Sequence, residues 1–559
     1  MRHVLIPLLL AGVLGAPAAA SEYVYLTAGE PGQVLCAPAP AGWESPDFDD
    51  TTWLSSAADT RVLLPDGGVP DAAGPLVAAS PPGTPGDAGA PGCMGLHLRR
   101  HFDVGPEIDH LAALTLRVRY QDGFVAYVNG REVARRRVVA EAPLASETHG
   151  TERESFPIAV TPGLLRPVGN VLAVLVLPAR PGRRVQVDVA LDGADGPHIV
   201  RGPYLQRVGP TEGWMVVETD LETTIDLTWQ TPSPRGARAR SLSSPRQTRH
   251  VLHLTPLAAA TTYHYRLVAR AAGSGPGPGP GKDPPPVEME GDFHTPPGGT
   301  QPLRFAVFGD VRSGHEIHAA IVRALVAEDP DLALVTGDLV DRGTDEAQWE
   351  RYFEIAAPLL RQVAIYPAAG NHEYERAGRG LERFLSLFLR PQPTAWWSFD
   401  VAGVHFVLLD SEAYKNPEQR DWLEADLQEA RRRKARGIFV VAHDGPYSSA
   451  LHGDNQEAIR GYAPLYQKYS VSMAFSGHDH DYERLRVGGV DYVVSGGGGA
   501  ELRKPRCGVP GRRSCGSRSR VFMNEHHYIM VEVRRDRFRL CPKRADGTLL
   551  EPCPTFPLR

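Results

Sequence analysis

The chain has 559 residues, more than one hydrophobic core can hold, so two to four domains are expected. Its 42% hydrophobic and 23% charged residues are ordinary for a soluble globular protein, and 57 Gly with 50 Pro favour loop-rich β modules over helical bundles. A net charge of -6 excludes a global attraction to nucleic acid or to an anionic membrane. At the start, Arg2 and His3 precede an apolar run from Val4 to Ala16, and Ala18-Ala19-Ala20 offers a small-residue cleavage site before Ser21. Residues 1–20 therefore read as a signal peptide, too short to span a bilayer, and predict a secreted or periplasmic protein with no membrane partner. The six cysteines suit an oxidising compartment, and pairing neighbours gives Cys36–Cys93, Cys507–Cys515 and Cys541–Cys553. None sits in a C-x-x-C pair, which argues against a zinc knuckle or a thioredoxin-like site.

Residues 22–199 read as an all-β module. Leu114–Tyr120 and Val171–Leu177 are short, rich in branched apolar residues and bounded by turn formers, and Asn129-Gly130 is a hairpin signal. A Pro/Gly stretch from Leu64 to Gly92 interrupts the module as a long loop. The strings "FDDTTW", "LRRHFDV" and "YQDGFVAYVNGREVARR" resemble a jelly-roll-like accessory β-sandwich found beside secreted enzymes and similar to carbohydrate-binding modules, which implies a glycan partner. Residues 200–297 begin a second β module, in which "IDLTWQT" and "HVLHLTPLAAATTYHYRLVAR" alternate as half-buried strands do. Gly273 to Val287 is an extended Gly/Pro excursion before a last strand at Gly291–Thr295. From Gln301 the pattern becomes strand–helix alternation, an α/β core. Leu303–Phe308, Leu332–Val335, Phe406–Leu409, Ile438–Val441 and Tyr492–Val494 are buried-strand runs, and Ile317, Ile321, Leu325 and Leu423, Leu427 recur at helical spacing.

Five polar clusters stand at or just beyond the ends of apolar runs: Gly309-Asp310, Gly337-Asp338, Gly370-Asn371-His372-Glu373, His443, and "GHDHDYER" with His478 and His480. Strand ends of an open α/β sheet are where side chains converge on a site, and Asp, Asn and His are the donors of a mixed oxygen/nitrogen divalent centre. A lone Asp there is usually a cap or turn former, but five such clusters in this order point to a metal site.

The set resembles the calcineurin-like metallophosphoesterases over residues 303 to about 533. "GHDHDYER", together with a preceding string similar to the fibronectin type III-like domain of purple acid phosphatases, places the resemblance in that branch. It implies two mixed β-sheets packed face to face with helices outside, over residues 301–535, followed by a disulfide-containing tail at 536–559. It also implies two metal ions (zinc, manganese or iron) bridged by Asp338, one held by Asp310 and His480 and the other by Asn371, His443 and His478. A water shared between two such cations loses a proton readily and becomes the nucleophile. Two departures stand out. Many relatives have Asp-x-His in the first cluster, where this chain has Asp310-Val311-Arg312. Purple acid phosphatases instead use a Tyr three residues after the bridging Asp, where this chain has Asp341. Asp341, His318 or water is left to complete the first metal.

"GDLVDRG" with "GNHE" also resembles the Ser/Thr protein phosphatase branch, which implies that Asp341 orients His372 as a proton donor and that Arg342 contacts phosphate. Arg312 and His452 are further candidates for the substrate. Gly496 to Gly499 suits either a phosphate-cradling nest or a tight turn, and the basic run from Arg503 to Arg520 either draws anions or is a solvated loop. The function expected is hydrolysis of phosphate monoesters, on small or macromolecular substrates. A phosphodiesterase or nucleotidase using the same metals is the alternative within enzymes. A glycan- or surface-binding protein with a degenerate hydrolase is the alternative outside them. No nucleic-acid partner is expected, since neither a basic excess nor a motif supports one.

Overall fold

The computed structural model describes residues 22–28, 32–35, 39–55, 61–62, 95–105, 108, 111–139, 145, 151–161, 163–180, 185–232, 239–271, 285–375, 378–503 and 517–559. The expected signal peptide, the Leu64–Gly92 loop, the pairs Cys36–Cys93 and Cys507–Cys515 and most of the basic run lie outside the described residues. Among the described residues no helix is long and apolar enough to cross a membrane.

The N-terminal part is two antiparallel sheets. One runs in the order 22–26, 185–194, 113–121, 151–159, and the other 54–55, 33–35, 96–102, 170–177, 123–128, 131–136. Leu116, Val118, Leu172 and Val174 bury their side chains in one shared core between them. The hairpin turns at Asn129 and Gly130, both at positive φ (50° and 81°), the pairing that matches strand twist.

A second β unit follows, built on the long strand Gly213–Gln230. Its first half pairs with Ile199–Gln206, and its second half with Thr262–Ala271. Leu227, Trp229 and Tyr265 extend the same core as Phe305 and Phe406 of the following region, so the two parts share apolar packing. Tyr204 donates to the Leu387 carbonyl, and Arg201 bridges Glu218 and Glu346, which pins this unit to the helices beyond.

From residue 303 two mixed sheets stack face to face. The elements are β1 (Leu303–Phe308), α1 (His315–Glu328), β2 (Leu332–Val335), α2 (Glu346–Leu360), β3 (Ile365–Pro367), α3 (Asn371–Tyr374) and α4 (Leu381–Leu387). After them come β4 (Trp397–Val401), β5 (Val404–Leu408), α5 (Pro417–Arg432), β6 (Gly437–Val441), α6 (Gln456–Gly461) and α7 (Ala463–Lys468). The chain ends in β7 (Met473–Ser476), β8 (Tyr482–Val487), β9 (Val490–Ser495), β10 (Ser519–Met523), β11 (Tyr528–Val533), β12 (Arg537–Lys543) and β13 (Thr555–Pro557). The first sheet has the order β3-β2-β1-β11-β12-β13, the second β4-β5-β6-β7-β9-β8-β10. Phe305 joins them, its ring 5.2 Å from both Phe406 and Phe439. Helices α1, α2 and α4 cover the outer face of the first sheet, and α5 to α7 that of the second.

The helices follow their sequence signals. Asn416 caps α5 by accepting the Glu418 N–H at 2.9 Å, Pro417 opens it, and Leu423 and Leu427 bury one stripe. Residues 536–559 are not the separate tail expected of them. Phe538, Leu540 and Phe556 alternate inward, which makes β12 and β13 two more strands of the first sheet, tied by the Cys541–Cys553 disulfide.

Candidate metal centre

The five clusters occupy the C-terminal ends of parallel strands from both sheets. Asp310 follows β1, Asp338 follows β2 and Asn371 follows β3, while His443 follows β6 and His478 and His480 follow β7. Three of these residues hold left-handed backbone: Asp310 (φ 56°), Asp338 (φ 55°) and His478 (φ 67°). Such a conformation costs a non-Gly residue about 1 kcal/mol or more and persists only where surroundings enforce it. The glycines that precede the donors supply room for their partners. A Cβ on Gly477 would stand 2.1 Å from Asp310 Oδ2, and one on Gly370 would stand 2.2 Å from Asp338 Oδ1.

His443 Nδ1 lies 2.8 Å from the Thr336 carbonyl. A carbonyl only accepts, so the hydrogen sits on Nδ1 and Nε2 presents a lone pair. Burial pushes this imidazole down to about 3, which keeps it neutral. Nε2 faces Asp338 Oδ1 at 3.3 Å, Asn371 Oδ1 at 3.0 Å and His478 Nδ1 at 3.2 Å. The His478 imidazole is also pushed down to about 3 by burial. Three acceptors, Asp338 Oδ1, Asn371 Oδ1 and His443 Nε2, thus converge with no hydrogen among them, and a cation is the partner that satisfies all at once.

A second group adjoins it. Asp310, Asp338 and His480 each place one donor atom within 4.8 Å of the others, all buried. His480 donates Nδ1–H to the Glu501 carbonyl at 2.5 Å, which leaves Nε2 facing Asp310 Oδ1 at 3.4 Å. Burial and the Asp338 carboxylate push Asp310 well above the usual carboxylate range, against the opposing pull of Arg312. The donors fit divalent ions, and Asp338 belongs to both groups.

The remaining candidates divide. His372 sits beside Asp338, with Nε2 3.9 Å from Oδ2. Its Nδ1 is held at 2.7 Å by the backbone carbonyl of Asp341, and not by that residue's carboxylate as the protein phosphatase resemblance implies. The Asp341 carboxylate instead grips Arg312, whose Nε lies 3.4 Å from Asp338 Oδ2. Arg342 makes a surface ion pair with Asp345, the N-cap of α2, at 3.1 Å. The His452 ring packs 3.9 Å from that of His478. His318 is not positioned as a ligand: it is fully buried and stacked on Tyr352 of α2, 5.5 Å between centroids, because its helical position faces the core. Gly496 to Gly499 is neither a nest nor a free turn. Gly498 N–H bonds to the Gly309 carbonyl and Ala500 N–H to that of Asp310, so the run clamps the first donor loop.

Glu373 has no role in the sequence reading, yet its buried carboxylate organises the loop of Asp338. It accepts the N–H groups of Asp338 (3.0 Å), Leu339 (2.7 Å), Val340 (3.3 Å) and Gly370 (2.7 Å). The available signal was a Glu at the third position of a helix, which reaches back to free N–H groups at the helix start. Asp479 is the second omission. It accepts Ser448 Oγ–H at 2.5 Å and His452 N–H at 3.0 Å, and so holds the loop that carries His452.

A family model for calcineurin-like phosphoesterases matches residues 303–482. This part of the chain belongs to that superfamily. The chain is similar to purple acid phosphatase 22 of Arabidopsis thaliana, with 30% identity over 251 residues, 42% of this chain and 54% of that protein. It is similar also to an uncharacterized protein of Mycobacterium tuberculosis H37Rv, 28% identical over 261 residues, 38% of this chain and 48% of that protein. The chain spans about half the length of these curated relatives. Among solved structures, a purple acid phosphatase from yellow lupin (Lupinus luteus) seeds shares the fold, with a TM-score of 0.55 at 17% identity, covering 83% of this chain and 92% of that one. The chain thus resembles the purple acid phosphatase branch, with a β-rich region before its two stacked sheets.

Proposed function

We propose that this metallophosphoesterase is an exported, metal-dependent hydrolase of phosphate monoesters. The observation that carries the proposal is the convergence of donor side chains from five strand ends on two adjoining groups that share Asp338. Asp310, Asp338 and His480 would hold one ion, and Asp338, Asn371, His443 and His478 the other. When bound, such ions supply an activated water and neutralise the charge on phosphate.

The chain's own residues do the rest. Thr336 and Glu501 fix the tautomers of His443 and His480 by accepting their Nδ1–H groups, so that both Nε2 lone pairs face inward. The Asp341 carbonyl does the same for His372 and turns its Nε2 toward the centre. A proton taken up at that nitrogen is available to the leaving oxygen, the role of a general acid. His452, against His478, and Arg312, beside Asp338, border the space a phosphate would enter. A phosphate contact from Arg342 requires its pair with Asp345 to open. The accessory β module is proposed to engage glycan at the protein's site of secretion. The export reading rests on the N-terminal sequence and on the Cys541–Cys553 disulfide.

Asp338→Asn and His443→Ala are each expected to abolish hydrolysis of an aryl phosphate monoester while circular dichroism stays unchanged. Chelation should do likewise, with recovery on adding Zn2+ or Mn2+. Full activity in both folded variants sinks the proposal. Faster turnover of an aryl phosphate diester than of the monoester replaces it with the diesterase reading.

A further inference from the structure

The two oxygens of Asp338 meet different surroundings. Oδ1 lies 3.3 Å from His443 Nε2 and accepts the His372 N–H at 3.2 Å. Oδ2 lies 3.4 Å from Arg312 Nε. The Arg312 side chain is only 15% exposed, its Nη1 is bonded to the Asp341 carboxylate, and its Nε has no hydrogen-bond partner. A guanidinium keeps its charge at any pH a protein tolerates. A permanent cation, two residues after Asp310 in the chain, therefore stands beside Asp338, a member of the buried Asp310/Asp338/His480 group.

We infer that Arg312, tethered by Asp341, weakens divalent-ion binding at the Asp310/Asp338/His480 position, so that the chain holds one ion tightly and a second one weakly. The inference rests on the reading of the site as a metal centre. Asp310 brings that position an additional negative charge, and Arg312 offsets it. What is left is three protein donors, against four around Asp338 Oδ1. Like charges a few ångströms apart in a buried site repel strongly, and Arg312 also competes for the Asp338 carboxylate.

Metal-depleted full-length protein titrated with Mn2+ by calorimetry, with retained ions counted by mass spectrometry after desalting, tests this directly. Wild type should retain one ion per chain and show two dissociation constants at least about 10-fold apart. Arg312→Gln should narrow that gap by about 10-fold and retain two ions, while Arg312→Lys, which keeps the charge, should preserve it. Equal binding of two ions by wild type overturns the inference, and so does closure of the gap in the Lys variant. If the Gln variant does not fold, the wild-type stoichiometry and the Lys variant still decide. Hydrolysis without any metal defeats the reading of the site as a whole, whereas equal binding with metal-dependent hydrolysis defeats this inference alone.

Discussion

Replacing Glu373 by Gln preserves its size and exchanges one carboxylate oxygen for an NH2 group. Each oxygen currently accepts from two backbone N–H groups: Oε1 from Leu339 and Val340, Oε2 from Asp338 and Gly370. Burial and the neighbouring Asp338 raise this carboxyl, and the four backbone donors oppose them and favour the carboxylate form. A Gln can satisfy only one of the two N–H pairs and points a donor at the other. Each buried N–H left unsatisfied costs about 1–3 kcal/mol, so stranding a pair should cost about 2–6 kcal/mol. A domain's whole stability is about 5–15 kcal/mol, and the effect should be plain in calorimetry. The transition to follow is the one whose midpoint rises on adding Zn2+, since an ion that binds only the folded state stabilises that part. Because Asp338 sits at φ 55° on the same loop, its hold should loosen as well, and ion affinity should fall about 10-fold. A Gln variant within about 0.5 kcal/mol of wild type, with unchanged ion affinity, would falsify the role assigned to Glu373.

Two further perturbations probe steric room and charge. Gly477→Ala places a methyl 2.1 Å from Asp310 Oδ2, so turnover of an aryl phosphate should fall about 100-fold or more while the fold survives; near-normal turnover refutes the steric account. His405 is 1% exposed at its side chain and lies between Asp400 (2.9 Å) and Asp426 (2.8 Å). Burial opposes its charge, but the hydrogen bonds to both carboxylates raise it to about 9. A folded-state value above the unfolded one, near 6.5, stabilises fully below about pH 6.5 and is lost as pH rises through about 9. The contribution is about 2–3 kcal/mol, reduced from the full shift because Asp400 is partly solvated. The stability gap between wild type and His405→Gln should shrink steadily from pH 6 to pH 10, and a constant gap contradicts the assignment.

Local pattern was enough to place the strands that carry the site. Leu303–Phe308 and Leu332–Val335 were legible as continuous apolar runs, and α1 and α5 as apolar stripes, because burial on two faces or on one stripe leaves a periodic trace. The donor types were legible too, since Asp, Asn and His directly after such runs have few other uses in combination. Residues whose role is set by distant backbone were not. Glu373 bonds to a loop some 35 positions earlier, and Gly498 to a carbonyl at Gly309. Nothing in either local string announces the partner.

What the sequence by itself determined is the inventory: five polar clusters after five strands, with an Arg two residues after the first Asp. Only the tertiary structure decided how that inventory is spent. It gave the Asp341 carboxylate to Arg312 and its carbonyl to His372, sent His318 into the core against Tyr352, and turned residues 537–557 into strands of the first sheet. The physical reason is that side-chain identity sets what a group can bond. Which partner it meets depends on chain segments brought together by packing, and those segments leave no periodic mark on one another.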